Sequence, residues 1–145
     1  MKAVTRDRLR DDMFYIIKTK RMYRSNDYTV RMLAKDLNTN LRYVSLVLNE
    51  CYGMNYKTFV NKFRVEDAMA MLGDKEYDDV NIEDIGTAVG FLNKQSFFTY
   101  FTRIAGMTPL KFRKMMKVKN GQWIMETDGN VFPLLISYKN NLITQ

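Results

Sequence analysis

The chain has 145 residues and 46% of them are hydrophobic, which is enough to bury a core and excludes wholesale disorder. It carries 23 Lys and Arg against 16 Asp and Glu, and this net charge of +7 favours an anionic partner such as nucleic acid or a membrane surface, although an ordinary basic globular protein has the same balance. The absence of His excludes His-based acid–base catalysis and His metal ligands, and the presence of one Cys excludes an internal disulfide.

An apolar stripe near the N-terminus predicts a first helix over residues 6–20. Leu9, Met13 and Ile17 recur at the spacing of one helical face, and Thr5 is in position to act as the N-cap.

Two further helices follow, joined by a tight turn. Thr29 is the predicted N-cap of a short helix over residues 30–36. Asn38 is expected in the turn, because asparagine tolerates the left-handed conformation better than most residues. The next helix is predicted over residues 40–52, and a glycine ends it.

The longest predicted helix covers residues 55–72 and connects two similar halves of the chain. In the second half Asn81 caps a short helix, Gly90 supplies the left-handed turn, and a further helix runs over residues 94–105. Thr108 followed by Pro is a strong start signal for a last helix over residues 109–119.

The two halves therefore form an internal repeat. Each half contains a short capped helix, a tight turn and a second helix that ends at Gly. Ala34 and Gly86 each lie four residues before the turn, where two helices that cross steeply require a small residue. This pattern fits two helix-turn-helix units, but it also fits ordinary helical hairpins, which contain small residues and glycines as well.

The charge is distributed unevenly along the chain. Residues 1–26 carry eight basic and three acidic side chains, and residues 94–120 carry seven basic side chains and no acidic one. Between them, residues 73–85 hold six acidic side chains against one Lys. A surface that faces phosphates can be built from separated basic elements of this kind, although a solvated face is the alternative for any one of these runs.

Several motifs resemble a known family. Those in the second half are Ile82–Phe91, Gln95–Phe98, Phe101 and Gly106–Arg113; those in the first are Leu33, Ala34, Val44, Ser45, Gly53, Met54, Phe59, Val60, Arg64 and Ala68. Together they resemble the AraC/XylS family of bacterial transcription regulators.

The resemblance implies an all-α domain of seven helices over residues 6–119, with two three-helix, homeodomain-like subdomains joined by a long helix. Its parts would be a first helix-turn-helix at 29–53, the connecting helix at 55–72, a second helix-turn-helix at 81–106 and a last helix at 109–119. Members of the family insert the second helix of each unit into successive major-groove segments, so a monomer can read two half-sites.

The resemblance also indicates which side chains contact DNA. The base-reading candidates, carried over by position, are Arg42, Tyr43, Ser45, Leu46, Lys94, Gln95, Phe98 and Thr99. Many members carry Arg at the positions of Leu46 and Thr99, so either readout here depends more on apolar contact and DNA shape or the domain docks on DNA differently. For Tyr43 and Phe98, partial burial at the edge of a subdomain is the competing interpretation.

Phosphate contacts are expected from helix N-termini and from basic side chains. The candidates are Asn40, Lys57, Lys62, Asn93, Arg103, Thr108, Lys111 and Lys114. Arg64 is expected to have a structural role, bridging the connecting helix and a subdomain.

Residues 120–145 lie beyond the family pattern. Trp123–Thr127 and Val131–Ser137 flank an Asp-Gly turn, a pattern that predicts a C-terminal β-hairpin tail of unknown role.

Double-stranded DNA is the expected partner, with RNA polymerase as a further one. We expect no enzymatic activity, cofactor, metal or membrane association, and a cytoplasmic, nucleoid-associated protein. The alternatives are a helical protein-interaction module and a DNA-binding fragment of a larger sensor or regulator.

Overall fold

The computed structural model describes residues 1–117, in which all the regular structure is helical. The seven α-helices are α1 Ala3–Phe14, α2 Val30–Asp36, α3 Leu41–Val47, α4 Tyr56–Leu72, α5 Ile82–Ala88, α6 Lys94–Ala105 and α7 Pro109–Met116. The prediction of an all-α, seven-helix fold is therefore confirmed. The predicted β-hairpin and the last residues of the predicted final helix lie outside the described residues.

The start of α1 differs from the prediction. The helix begins at Ala3, with Lys2 as the N-cap residue, and Thr5 lies inside the first turn. The backbone N–H of Arg6 donates to the carbonyl of Lys2 at 3.0 Å, so the chain is already helical before Thr5 could cap it. The predicted N-cap at Thr5 is therefore wrong.

Some local features depart from the regular α-helices that the sequence predicts. A π-helical turn at Tyr15–Thr19 follows α1, and a second one at Leu48–Tyr52 follows α3. A 3₁₀ turn at Met22–Arg24 follows Arg21, which adopts a left-handed conformation with φ 58°. The second π-helical turn ends at Gly53, which adopts the left-handed conformation with φ 65°.

The described residues form two hydrophobic cores, and α4 contributes to both. Phe59, Val60 and Phe63 in its first half pack with α1, α2 and α3. Its second half, including Val65 and Leu72, packs with α5, α6 and α7. The connecting helix is thus an integral part of each unit rather than a linker between them.

The internal repeat predicted from the sequence is present in the backbone hydrogen bonds. In the first unit the N–H of Thr39 donates to the carbonyl of Ala34 at 2.9 Å, and in the second the N–H of Phe91 donates to the carbonyl of Gly86 at 3.0 Å. The turn residues Asn38 and Gly90 both have positive φ, 54° and 114°. Each pair of helices is therefore joined by the same hydrogen-bonded turn.

Candidate nucleic-acid interface

The second helix of each unit begins at an asparagine N-cap. Oδ1 of Asn40 accepts a hydrogen bond from the N–H of Tyr43 at 2.9 Å, and Oδ1 of Asn93 accepts one from the N–H of Ser96 at 2.8 Å. The first amides of a helix have no intrahelical acceptor, so a capped N-terminus still offers backbone donors to an anion. α7 begins in a similar way, with Oγ1 of Thr108 accepting from the N–H of Lys111 at 3.2 Å.

The structure separates the four candidates on α3 into two pairs. Arg42 and Ser45 are exposed, whereas Tyr43 and Leu46 are half-buried. Tyr43 packs against the first hydrophobic core, as the competing interpretation of this residue expected. Arg42 is therefore the one charged side chain of this group that is available to a base edge.

On α6 the exposed candidates are Lys94, Gln95 and Thr99, whereas Phe98 is half-buried. The ring of Phe98 contacts that of the buried Phe97 edge-on, with centroids 5.7 Å apart. Phe98 therefore supports the core of the second unit and presents only part of its ring to solvent.

Lys94 already has two partners in this conformation. Its ammonium lies 2.8 Å from Oε1 of Glu83 on α5 and 5.4 Å from the centroid of the Phe98 ring. Both members of the ion pair are more than half exposed, so the pair contributes little to stability and can exchange for a phosphate or a base.

The phosphate candidates lie on different sides of the described region. Lys57 of α4 and Arg103 of α6 both lie near the ring of Tyr100, at 5.8 and 5.2 Å from its centroid. Lys62 is five positions after Lys57, about 140° around the helix axis. It lies beside Glu66, so Lys57 and Lys62 do not belong to one surface. Lys111 and Lys114 are exposed on α7.

Arg64 has the structural role that the sequence suggested. Its Nε donates to the carbonyl of Tyr23 at 2.6 Å, and its Nη1 donates to Oδ1 of Asn61 at 2.8 Å. Burial lowers the pKa of the Arg64 guanidinium, but a guanidinium stays protonated at any physiological pH.

Arg113 was counted in the basic run, but it is buried. Its Nη2 donates to the carbonyls of Tyr77 and Val80, at 3.1 and 2.7 Å. It therefore anchors the acidic stretch to α7 and adds little to the surface charge that DNA would meet. The Gly106–Arg113 motif contained the residue but gave no sign of this role.

A cleft beside the turn between α2 and α3 contains two basic residues that are not among the candidates named from the sequence. Arg31 and Lys35 line it together with residues 38–41, and its volume is about 390 Å³. Their spacing of four residues places both on one face of α2. That spacing was the available signal, because the first helix of a helix-turn-helix crosses the DNA backbone.

Residues 1–117 contain neither a cluster of metal ligands nor a membrane-spanning helix. No three Cys, Asp or Glu side chains there are grouped so that they could hold a metal ion. None of the helices in this part of the chain is long and apolar enough to cross a membrane.

Comparison with known proteins identifies the family. A model of the helix-turn-helix domain family matches residues 33–115, more than half of the chain. The chain belongs to the AraC/XylS family. The resemblance drawn from the sequence motifs is thus confirmed. The AraC/XylS proteins are DNA-binding transcription regulators and not enzymes, in agreement with the expectation of no enzymatic activity.

The curated relatives of this AraC/XylS chain are bacterial regulators. It is 25% identical over 87 residues to the melibiose operon regulatory protein of Escherichia coli K12, and 24% identical over 92 residues to the HTH-type transcriptional regulator YtdP of Bacillus subtilis. These matches cover 60% and 63% of this chain, but only 28% and 12% of the two relatives.

Solved structures show the same fold. The C-terminal domain of AraT, a response regulator from Geobacillus stearothermophilus, aligns with a TM-score of 0.63 and 20% identity, over 86% of this chain and 95% of that one. The C-terminal domain of the response regulator yesN from Fusobacterium nucleatum aligns with a TM-score of 0.57 and 24% identity, over 71% and 95%. At this level of identity the likeness concerns the fold alone.

Proposed function

We propose that this AraC-type domain binds double-stranded DNA as a monomer and inserts α3 and α6 into successive major-groove segments of one regulatory site. The observation that carries the proposal is the repeated unit: two hydrogen-bonded turns of the same form, each leading into a capped helix with exposed polar side chains. Because α4 belongs to both cores, the two helices are held on one body. Two half-sites about one helical turn apart, roughly 10–10.5 base pairs, suit this arrangement.

Arg42 and Gln95 are the proposed base readers. An exposed guanidinium can donate two bonds to O6 and N7 of guanine, and an exposed amide can pair with N6 and N7 of adenine. Ser45 and Thr99 are secondary candidates, and Tyr43, Leu46 and Phe98 would offer only the exposed parts of their side chains to a thymine methyl group.

The proposed phosphate contacts are the N-termini at Asn40, Asn93 and Thr108 together with surrounding basic side chains. Lys57 and Arg103 beside Tyr100, and Lys111 and Lys114 on α7, would face the backbone. Lys94 would exchange Glu83 for a phosphate or a base. Lys62 has less support because it lies on another side of α4.

Regulation of transcription by the complete protein is part of the proposal, as are contact with RNA polymerase, the oligomeric state and association with the nucleoid. The chain spans 28% and 12% of the length of its two curated relatives, so the activity and partners of a whole regulator are proposals for this chain. The second candidate function is a helical protein-interaction module, which the exposed Leu92 in the second turn, 79% exposed, would suit.

Binding to a random pool of duplexes at about 0.1 M salt tests the proposal. Retained duplexes are amplified, sequenced and compared with the input pool. We expect a motif in two parts whose centres are about one helical turn apart. Retention without any enriched motif would leave only non-specific binding, and no retention would favour the protein-interaction module.

A further inference from the structure

The two units touch at a glycine in the second turn. A Cβ atom at Gly90 would lie 2.3 Å from the carbonyl oxygen of Tyr23, 2.9 Å from that of Arg24 and 2.8 Å from Nε of Arg64. Any side chain at this position would therefore collide with the backbone of the first unit. Gly90 has φ 114°, which also favours glycine.

Arg64 fills the space between the two units. Its Nε and Nη2 donate to the carbonyls of Tyr23 and Ser25 in the first unit, at 2.6 and 3.4 Å. The same guanidinium lies 5.8 Å from the centroid of Phe91 in the second unit. One planar cation thus contacts both sides of the junction.

The first-unit side of this junction is fixed to α4. The hydroxyl of Tyr23 donates to Asp67 at 2.8 Å, and Arg24 donates two bonds to the same carboxylate, at 2.7 and 3.0 Å. Because the Asp67 carboxylate accepts two bonds from Arg24 and one from the Tyr23 hydroxyl, the backbone of these two residues is held in one orientation. The 3₁₀ turn Met22–Arg24 is therefore held in place where its carbonyl groups contact Gly90.

The second-unit side leads directly to α6. Phe91 is buried, and its ring lies 5.3 Å from that of Phe97 and 6.3 Å from that of Tyr100, centroid to centroid. A displacement of Gly90 and Phe91 would therefore move α6. Packed aromatic rings transmit such displacements because protein interiors are dense.

From these contacts we infer that the junction of Arg64, Gly90 and Phe91 with the Met22–Arg24 turn fixes α3 and α6 relative to each other, and so determines which half-site spacing the protein accepts. Adding one base pair between the two half-sites moves the second half-site by roughly 3.4 Å along the DNA axis. It also rotates that half-site by about a tenth of a turn relative to the first. A rigid pair of recognition helices rejects that change, whereas a loosened pair accepts it. The inference rests on the proposed function, because it assumes that both helices read DNA.

Arg64→Lys and Gly90→Ala test the inference in two independent ways. Lysine keeps the charge but loses the planar fork of donors, and alanine places a methyl group against the carbonyl of Tyr23. Arg113→Lys is the matched control, because Arg113 is also buried on two backbone carbonyls but both belong to the second unit. Cooperative thermal unfolding of each variant shows that it is folded.

The first readout is half-site spacing. Each protein is offered duplexes that carry the motif selected by the wild-type chain, with the separation unchanged or altered by one base pair. Wild type and Arg113→Lys should prefer the original separation by about tenfold, and Arg64→Lys and Gly90→Ala by about threefold or less. An undiminished preference in both junction variants would overturn the inference.

The second readout needs no DNA and separates the inference from the proposed function. Spin labels at Asn49→Cys and Thr102→Cys, in a Cys51→Ser background, report the distance between the two units. We expect one narrow distance distribution in the otherwise wild-type chain and in Arg113→Lys, and a broader or shifted one in both junction variants. Equal narrow distributions in all four proteins would refute a fixing role even if DNA binding is confirmed.

Discussion

Burial gives the arginines of this chain different roles. Arg42 is exposed on α3 and available to an external acceptor, whereas Arg64 and Arg113 are directed at backbone carbonyls inside the domain. Guanidinium groups suit both tasks, because their fixed fork of donors matches a base edge as well as a pair of carbonyl oxygens. A count of positive charges therefore overstates the basic surface.

Arg42→Ala should weaken binding to the selected site by about 1–3 kcal/mol and affect random DNA far less, if Arg42 reads a base. Arg42→Lys should largely retain binding to random DNA but not the preference for the selected site, because a lysine lacks the two parallel donors. Titration of both duplexes at one salt concentration measures this. Equal losses on both duplexes in Arg42→Ala would identify a phosphate contact instead.

Glu66 on α4 provides a pH-dependent prediction. Burial raises the pKa of its carboxyl, and the nearby Lys62 and Lys18 offset part of that rise. The folded state therefore holds the proton to higher pH than the unfolded state does, so this group lowers stability as pH rises through its folded pKa. Below the ordinary pKa of about 4.3 both states are protonated and the effect disappears.

Glu66→Gln should accordingly raise the melting temperature at about pH 7 and leave it almost unchanged near pH 4. Glu50→Gln is the control, because Glu50 is exposed beside Arg6 and its removal relieves no burial. Thermal unfolding at both pH values measures the difference. A gain of the same size at both values would contradict the role of ionisation.

At the scale of helices, a small residue fixes how closely α5 and α6 cross. A Cβ at Gly86 would lie 2.5 Å from Cδ2 and 2.7 Å from Cγ of Phe97, which is fully buried. The sequence indicated that a small residue was needed here, but the partner ring was visible only in the folded chain. In the first unit the equivalent Ala34 is buried with its methyl group accommodated.

Gly86→Ala should therefore destabilise the domain by about 1–3 kcal/mol, because Phe97 cannot move without disturbing the second core. Gly73→Ala is the matched control. Its Cβ would meet the terminal methyl of Met116 at 2.7 Å, and a flexible methionine can move away. Chemical denaturation should show a loss for Gly86→Ala and little change for Gly73→Ala; similar losses in both would contradict the packing argument.

Most helix N-termini were predictable because they depend on residues that are close together in the sequence. Thr29, Asn81 and Thr108 cap their helices as predicted, and Asn40, Asn55 and Asn93 cap theirs in the same way, because a cap depends on a side chain and an amide two or three residues later. The π-helical turns lie within segments that were predicted as helix, but apolar spacing does not show whether an amide bonds to the fourth or the fifth preceding carbonyl. Thr5 failed as a cap because no local signal prevented α1 from starting earlier.

At the scale of the whole molecule, the proposed DNA surface combines elements distant in sequence. α7 places Lys111 and Lys114 in the same unit as α6, while Lys57 reaches Tyr100 from α4. Each phosphate that is neutralised releases a counterion, so the number of such contacts appears in the salt dependence of binding.

Lys111→Ala should weaken binding to selected and random DNA alike and reduce the slope of log K against log salt concentration by about 1. Lys75→Ala removes the same charge from the acidic stretch, which supplies none of the proposed DNA contacts, and should leave the slope unchanged. Titrations between about 50 and 200 mM salt measure both. An unchanged slope in Lys111→Ala would exclude Lys111 from the interface.

The sequence by itself determined the features that depend on neighbours along the chain. Apolar spacing, asparagine caps and the glycine turns located the helices, and the motif at Ile82–Phe91 indicated the family. The candidate contact residues on α3 and α6 came from the family resemblance, which carried them over by their positions in the two helices. The sequence left open whether Tyr43 and Phe98 are exposed, because each is half-covered by a core built from several helices.

Only the tertiary structure decided how the two helix-turn-helix units are joined. The contact of Gly90 with the carbonyls of Tyr23 and Arg24 spans more than sixty residues of sequence, and Arg64 links it to Phe91. Neither a turn glycine nor a helical arginine indicates such a partner, because long-range packing is determined by the shape of the whole domain. The presence of two units is thus a local property of the sequence. Their relative position depends on contacts between residues far apart in the chain, which form only when the whole domain folds.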